Sequence, residues 1–457
     1  LYHRALAIDL TLLMAWVNLG NLYLQSGKLL DARRAIVQAL VLKPDLPAAL
    51  SSFGSLLKAE KAFSKSSTFY RRALRISPLY VETLNNLGNA FREQELWAHA
   101  VDAYKSALIL DPSFAPAFYN WGIGLYRVGL ITAVEKAYGR AQNLMPNFPE
   151  VHLNLGFLRL SLGDYSTGFT LYERRFKQPN FALQRRSYDF PEWDGKSDLR
   201  GVKILVYAEQ GLGDTLQFFR FTEPLLARGA DLTLEVQPEL VGFLKGYNME
   251  MQIVSMNQAG ADFDLHYPLM SLPMALGTVV SNIPSSVSGY HFSRSLIRRW
   301  VERLGPRQRP RIGVVLSGNP NHINDHLRSI PWESVQHLLG LEIDLVCLQK
   351  EIRPEDVSFM EAHTEIRAYQ AEIQSFEDTA VLCSLMDLVI SVDTSVAHLA
   401  ASLEVPTWIL LTEMPDWRWM LGTKRSPWYP SVQLLRKKNG SSWGQLLDSV
   451  SRDLLYV

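Results

Sequence analysis

Three polar stretches in the second half of the chain carry side chains suited to holding phosphate or moving a proton. The first, Glu209-Gln210-Gly211-Leu212-Gly213-Asp214, follows the apolar run Ile204–Tyr207 and precedes Leu216, Phe218, Phe219, Phe221 and Leu225 at amphipathic spacing. That order predicts a buried strand, a tight turn at Gln210, Gly211 and Gly213, and a helix N-terminus. Free backbone N–H groups and the positive dipole end make such a junction suited to an anion. Asp214 fits two roles there, a simple helix N-cap or a site carboxylate. The second stretch is Ser317-Gly318-Asn319-Pro320-Asn321-His322, followed by Asp325 and Arg328, and the third is Asp393-Thr394-Ser395-Val396-Ala397-His398. Thr394 and Ser395 at a helix start can bind phosphate through hydroxyl and N–H groups together. Arg328 or Lys350 can neutralise a diphosphate, and Gln349, on the same strand-end loop as Lys350, is a further candidate for binding the donor. Each also has a plainer reading: Asp393 as a cap, His398 as a hydrogen-bonded core histidine, Arg328 as a surface ion pair.

These loops need strands to present them. From Val202 onward short apolar runs alternate with amphipathic ones, the pattern of parallel sheets with crossover helices. Strands are expected at Lys203–Tyr207, Asp231–Val236, Met251–Val254 and Asp264–His266, with helices over Asp214–Ala227 and Pro238–Lys245. After a Pro- and Arg-rich boundary (Pro306, Arg307, Arg309, Pro310), further strands are expected at Ile312–Leu316, Asp344–Leu348, Leu388–Val392 and Thr407–Leu411. The division is therefore a lobe over 201–305 and a second over 306–457. Polar loops at strand ends in both lobes point to a cleft between them.

The first third is organised differently. Gly20, Gly54, Gly88, Gly122 and Gly156 stand 34 residues apart, and Ala39, Ala73, Ala107 and Ala141 keep the same period. So do Pro44, Pro78, Pro112 and Pro146, and an aromatic slot at Tyr70, Tyr104, Tyr138 and Tyr172 that Ile36 fills first. Small residues where helices touch and proline at the unit's end resemble the tetratricopeptide repeat. The repeats are expected over 1–175, starting halfway through a unit, which predicts further repeats upstream. A linker over 176–200, with turns at Gln178-Pro179-Asn180 and Pro191–Gly195, would have Tyr188, Phe190 and Trp193 pinned against one domain. Asn18, Ser52, Asn86, Asn120 and Asn154 sit two residues before the repeat glycines, a slot facing the concave groove of such a solenoid. They resemble the asparagine ladder of protein O-linked N-acetylglucosamine transferase, whose carboxamides can pair with a peptide main chain. Alternatively they satisfy only local backbone or water.

GLGDTLQF, SGNPNH, RSIPW, LQKE, DTSVAHLAASLEVPTWILL and PDWRWM with SPWYP, in that order, resemble a bacterial family of tetratricopeptide-repeat glycosyltransferases. Its catalytic part is similar to the ADP-heptose lipopolysaccharide heptosyltransferases. The resemblance implies an all-α solenoid followed by a two-lobed, Rossmann-like GT-B domain. It further implies metal-independent, inverting transfer from a nucleotide-sugar held by the second lobe. Asp214 would then be the general base, and Asp393, Thr394 and His398 would bind donor sugar and phosphate. Arg328, before Pro331-Trp332, would meet the diphosphate. The chain carries Ile323 and His326 where that family is richer in arginine.

Composition narrows the partners. Lys+Arg and Asp+Glu number 46 each, giving no net charge to attract nucleic acid or an anionic membrane. The run Leu6–Leu24 is interrupted by Asp9, Asn18 and Asn21, so it is no membrane span. Cys347 and Cys383, both among apolar neighbours, fit buried thiols in a reducing, cytoplasmic compartment. The expected acceptor is a protein Ser or Thr held by the repeats, such as a flagellin or other surface protein. A glycan or lipid acceptor, or a non-enzymatic repeat adaptor, are the alternatives.

Overall fold

A computed structural model describes residues 1–178, 184–321, 324–438 and 440–455, so Pro179, Asn180, His322 and Ile323 lie outside the described residues. The chain divides into two compact units, Leu1–Leu155 and Gly156–Val457.

The first unit is a tetratricopeptide solenoid. Its helices are α1 (Tyr2–Ile8), α2 (Leu13–Gln25), α3 (Leu29–Leu42), α4 (Pro47–Ala59), α5 (Phe63–Ile76), α6 (Val81–Arg92), α7 (Trp97–Leu110), α8 (Ala115–Arg127) and α9 (Ile131–Leu144). The start of α10 (Pro149–Ser161) completes it. Pro44, Pro78, Pro112 and Pro146 stand two residues beyond the ends of α3, α5, α7 and α9, where a missing N–H costs nothing. The repeat glycine and the aromatic slot form one joint. A Cβ on Gly54, Gly88 or Gly122 would lie 2.7, 2.4 or 2.4 Å from the ring of Tyr70, Tyr104 or Tyr138. On Gly20 it would meet Ile36 at 2.5 Å. Ala39, Ala73, Ala107 and Ala141 are fully buried at the same contact layer. The turns inside successive repeats use a left-handed residue at Gly27, Lys61, Glu95 and Gly129, again one period apart.

The second unit begins within α10. In α11 (Tyr165–Tyr172) the rings face this unit: Tyr165 stacks on Trp428 at 5.5 Å, and Phe169 meets Phe218 and Trp417 edge-on. A Cβ on Gly156 would meet Leu171 Cβ and the Tyr172 backbone rather than an aromatic ring. The following segment packs on a sheet edge. Trp193 is buried, its backbone N–H donates to the His266 carbonyl at 2.9 Å, and Tyr188 stacks on Phe190 at 4.9 Å.

Two parallel sheets follow. The first has β1 (Lys203–Tyr207), β2 (Asp231–Val236), β3 (Gln252–Ser255) and β4 (Leu265–Pro268) in the order β3-β2-β1-β4. The second has β5 (Arg311–Val315), β6 (Asp344–Cys347), β7 (Arg367–Ala368), β8 (Leu388–Val392), β9 (Thr407–Leu411) and β10 (Val432–Arg436) in the order β10-β9-β8-β5-β6-β7. The inner strands read as continuous apolar runs because crossover helices cover both faces. β3 and β5 are displaced by one residue from their expected positions, and β4 starts one residue later and ends two later. β7 and β10 were not anticipated, since edge strands this short or this polar carry little apolar pattern.

The α-helices of six residues or more that follow are α12 (Leu212–Phe218), α13 (Thr222–Ala227), α14 (Pro238–Lys245), α15 (Arg294–Leu304), α16 (Val357–Ala362), α17 (Phe376–Ser384), α18 (Ser395–Ser402) and α19 (Trp443–Leu454). One helix was expected over Asp214–Ala227. Instead a 3-10 turn at Phe219–Phe221 separates α12 from α13, next to Pro224, which cannot donate to the helical ladder. No helix among the described residues is long and apolar enough to cross a membrane. Cys347 and Cys383 are buried and unbridged, and burial pushes both thiols up to about 12.

Candidate functional site

Each sheet reverses its strand order beside its first strand, with β1 between β2 and β4 and β5 between β6 and β8. Ligands of parallel sheets lie outside the carboxyl ends of strands at such a reversal. The loops after β1, β5 and β8 are the three polar stretches singled out in the sequence.

Asp214 does not cap its helix as the N-cap. Gly211, with extended backbone, precedes α12, and Asp214 is the third helical residue. Its Oδ2 accepts the Gly211 N–H at 2.9 Å, holding the turn closed. Its Oδ1 accepts from Arg418 Nη2. Arg418 is nearly buried, lies 4.4 Å from the Trp417 ring centroid, and donates through Nη1 to Asp416 Oδ1 at 2.8 Å. Burial opposes its charge, but Asp214 and Asp416 hold its pKa well above the usual value. Gln210 is turned away from a phosphate role: its Nε2 donates to Tyr172 Oη at 2.8 Å, and its carbonyl accepts from Gln237.

The loop is anchored from below. Glu209 is buried against Arg175 at 2.9 Å and accepts the Met270 N–H at 3.0 Å. Arg175 is itself wholly buried, and also reaches Glu173 at 2.5 Å and Ser271 Oγ at 2.7 Å. Burial raises the Glu209 carboxyl above its ordinary range despite the guanidinium beside it.

Across the second sheet, Thr394 rather than Asp393 caps α18, its hydroxyl accepting the Ala397 N–H at 3.4 Å. Ser395 is the first residue of that helix and is half-buried. Asp393 is pushed up to about 6, by burial and then by the Asp416 carboxylate, against the pull of Arg328. Arg328 does form an ion pair, its Nε 3.5 Å from Asp325 Oδ1, but the pair is half-buried and the guanidinium has further partners. Its Nη1 donates to the Asp393 carbonyl at 2.6 Å, and a Cβ on Gly318 would sit 2.6 Å from its Nη2. The arginine therefore fits beneath the Ser317-Gly318 loop and ties it to the loop after β8. Asp325 receives Arg353 and Ser329, which hold its carboxyl below the usual range although burial alone would raise it.

His398 joins the two lobes. A Cβ on Gly213 would lie 2.9 Å from its Cδ2, so α12 can approach α18 only because residue 213 is glycine. The imidazole stacks on Trp419 at 4.9 Å, and Nδ1 lies 3.0 Å from Tyr429 Oη. Burial, then Arg418, Arg220 and Arg328, hold its pKa well below 6.5, so the ring is neutral.

The remaining expected residues divide between scaffold and rim. Gln349 is buried and spent on structure, accepting the Leu316 N–H at 2.7 Å and donating to Ser317 Oγ at 2.8 Å. Asn319 is exposed and accepts the Asn321 N–H at 2.9 Å, and Lys350 is exposed. A cavity of about 370 Å³ opens elsewhere in this unit, lined by Gly242, Tyr290, Phe292 and Glu377, and none of the strand-end residues borders it. Among the described residues no group of three His, Cys, Asp or Glu gathers for a metal ion.

In the solenoid the amide slot is partly committed. Asn120 Nδ2 donates to Asn85 Oδ1 at 2.9 Å while its Oδ1 accepts from Arg92, and Asn154 donates to Tyr119 Oη at 3.3 Å. Ser52 is buried, whereas Asn18 and Asn86 are half-buried. These are bonds between consecutive repeats, so at Asn120 and Asn154 the slot knits the stack.

No protein-family model matches the chain. Protein FlbA of Caulobacter vibrioides is 24% identical over 323 residues, 65% of this chain and 53% of FlbA, so the chain spans about half the length of that curated relative. Pseudomonas aeruginosa pilF resembles 38% of the chain at 22% identity and TM-score 0.35, covering 80% of that structure. A thermophilic tetratricopeptide protein of Thermus thermophilus resembles 37% at 20% identity and TM-score 0.33, covering 93% of that structure.

Reading the sequence for site residues passed over Arg418, Asp416, Tyr172, Trp419 and Tyr429. The signal was present in PDWRWM: an acid and a base two residues apart, flanked by tryptophans, just beyond an apolar strand.

Proposed function

We propose that the second unit is a glycosyltransferase of two Rossmann-like lobes in the GT-B arrangement, acting on a nucleotide-sugar. The observation that carries this reading is the meeting of the loop after β1 with those after β8 and β9, through Gly213 on His398 and Asp214 on Arg418. One carboxylate from the first lobe thereby stands among the basic and N–H groups of the second. In transfer, the acceptor hydroxyl oxygen bonds to the anomeric carbon and its proton passes to Asp214. The bond from that carbon to the diphosphate oxygen breaks, and the leaving group keeps the electron pair. Arg328 and the N–H groups opening α18 meet the charge that develops, without a metal cofactor. On this reading neutral His398 and half-buried Asp393 bind donor sugar hydroxyls. The repeats hold a polypeptide acceptor, and the reaction is inverting and cytoplasmic.

Asp214→Ala is expected to abolish sugar transfer while nucleotide binding persists; turnover in that variant would remove Asp214 as the base. Thermal-shift measurements against ADP, UDP, GDP and CMP name the donor class. A second reading, a repeat adaptor without turnover, is favoured by the engagement of both Asp214 oxygens. Absence of stabilisation by every nucleotide would select it.

A further inference from the structure

In this conformation both carboxylate oxygens of Asp214 are engaged, one by the Gly211 N–H and the other by Arg418. Arg418 is held unequally by its two carboxylates. Asp416 is local, two residues away, and also accepts the Arg418 backbone N–H at 3.0 Å. Asp214 comes from the other lobe and is attached only through one guanidinium nitrogen. A guanidinium has five N–H donors in a planar fork that matches phosphate oxygens, and this one lies over the Trp417 ring, 4.4 Å from its centroid. Asp393, whose carbonyl Arg328 engages, also feels the charge of Arg418, so both arginines border one carboxylate.

We infer that Arg418 exchanges Asp214 for the diphosphate of the donor, so that donor binding uncovers the carboxylate that takes the acceptor's proton. This rests on the transferase reading. A diphosphate brings more negative charge than one carboxylate and can engage the fork at two points, while Asp416 keeps the arginine in place. The masked state prevents proton abstraction before a donor is present. Proton accounting is unchanged: Arg418 stays protonated throughout, and only its hydrogen-bond partner changes.

The inference predicts opposite effects at the two ends of one ion pair. Asp214→Asn keeps the volume and an oxygen for the Gly211 N–H but removes the competing charge. Calorimetric titration with ADP, UDP, GDP and inorganic pyrophosphate should show tighter binding in this variant by about tenfold, the factor equivalent to roughly 1.4 kcal/mol. Arg418→Lys, which retains charge but loses the fork, should weaken the same binding by about tenfold. A purely structural pair would not make the ligand bind more tightly when broken. Unchanged or weaker diphosphate binding in Asp214→Asn, with the wild type binding normally, overturns the exchange and leaves the transferase reading standing. If the wild type binds none of the four probes, the exchange fails, and if it does not bind CMP either, the transferase reading fails with it.

Discussion

The solenoid and the α/β unit solve the same problem, fixing side chains against one another, over very different distances along the chain. In the first unit one joint recurs: a glycine receives the ring found 16 residues later, as Gly88 receives Tyr104. In the second, Asp214 meets Arg418 across 204 residues and Arg220 donates to the Trp428 carbonyl across 208. A joint made within one helical hairpin must repeat whenever the hairpin repeats. A joint made by folding two sheets together has no reason to leave any period. Breaking one kind should therefore be tolerable and local, while breaking the other should unsettle a whole unit.

The largest effect is expected at Arg175, the wholly buried partner of Glu209. Arg175→Ala leaves that carboxylate buried without its cation, and should cost roughly 3–5 kcal/mol in urea denaturation. A cost under about 1 kcal/mol would show that the anchor beneath the β1 loop is dispensable. Next comes the repeat joint. Gly88→Val forces a branched side chain into the Tyr104 ring and should cost about 1–3 kcal/mol by overpacking. Gly139, in α9 with nothing within 4 Å of a built Cβ, is the control: Gly139→Ala should gain about 0.5–1 kcal/mol from helix propensity. Equal losses at both positions would break the argument that the glycine–aromatic pair sets the period.

The pH response belongs to the second unit. His398 has its folded pKa held down, so its contribution is present above about 6.5 and is lost as pH falls from there toward the folded value. Asp393 acts oppositely, its contribution being full below 3.8 and lost as pH rises through about 6. Stability should therefore fall as the solution is taken from pH 7.5 to 6, then flatten as Asp393 offsets the loss. His398→Gln should remove the first fall, read from denaturation midpoints at each pH. Smallest are the turns at Lys61 and Glu95, whose left-handed backbone the first unit elsewhere gives to Gly27 and Gly129. Replacing either by glycine should gain no more than about 1 kcal/mol, seen as a small rise in midpoint.

The same contrast governs what could be read in advance. The expected helix boundary at Pro44 and the buried alanines needed only a period and a sense of which residues stop or admit a helix. Inner strands such as Leu388–Val392 were equally plain, because burial on both faces leaves an unbroken apolar run. Asp214 was legible as a residue of interest, but its place in the helix was not. Gly211 starts the helix earlier than the acidic residue advertises. Gln349 looked like a ligand and is a bolt between two loops, because an amide can satisfy backbone on one side and a hydroxyl on the other.

By itself the sequence determined the solenoid, the change to parallel α/β architecture near residue 200 and the polar loops at the strand ends. Each of these follows from short-range periodicity and strand-end polarity. Tertiary structure alone decided that Tyr172 leaves its repeat role to receive Gln210. It also decided that Arg328 lies under Gly318 and that Arg418 covers Asp214. Those pairings depend on where separate sheets and loops come to rest. Charge and hydrogen-bonding capacity mark a residue as able to pair, but only the packed chain selects its partner.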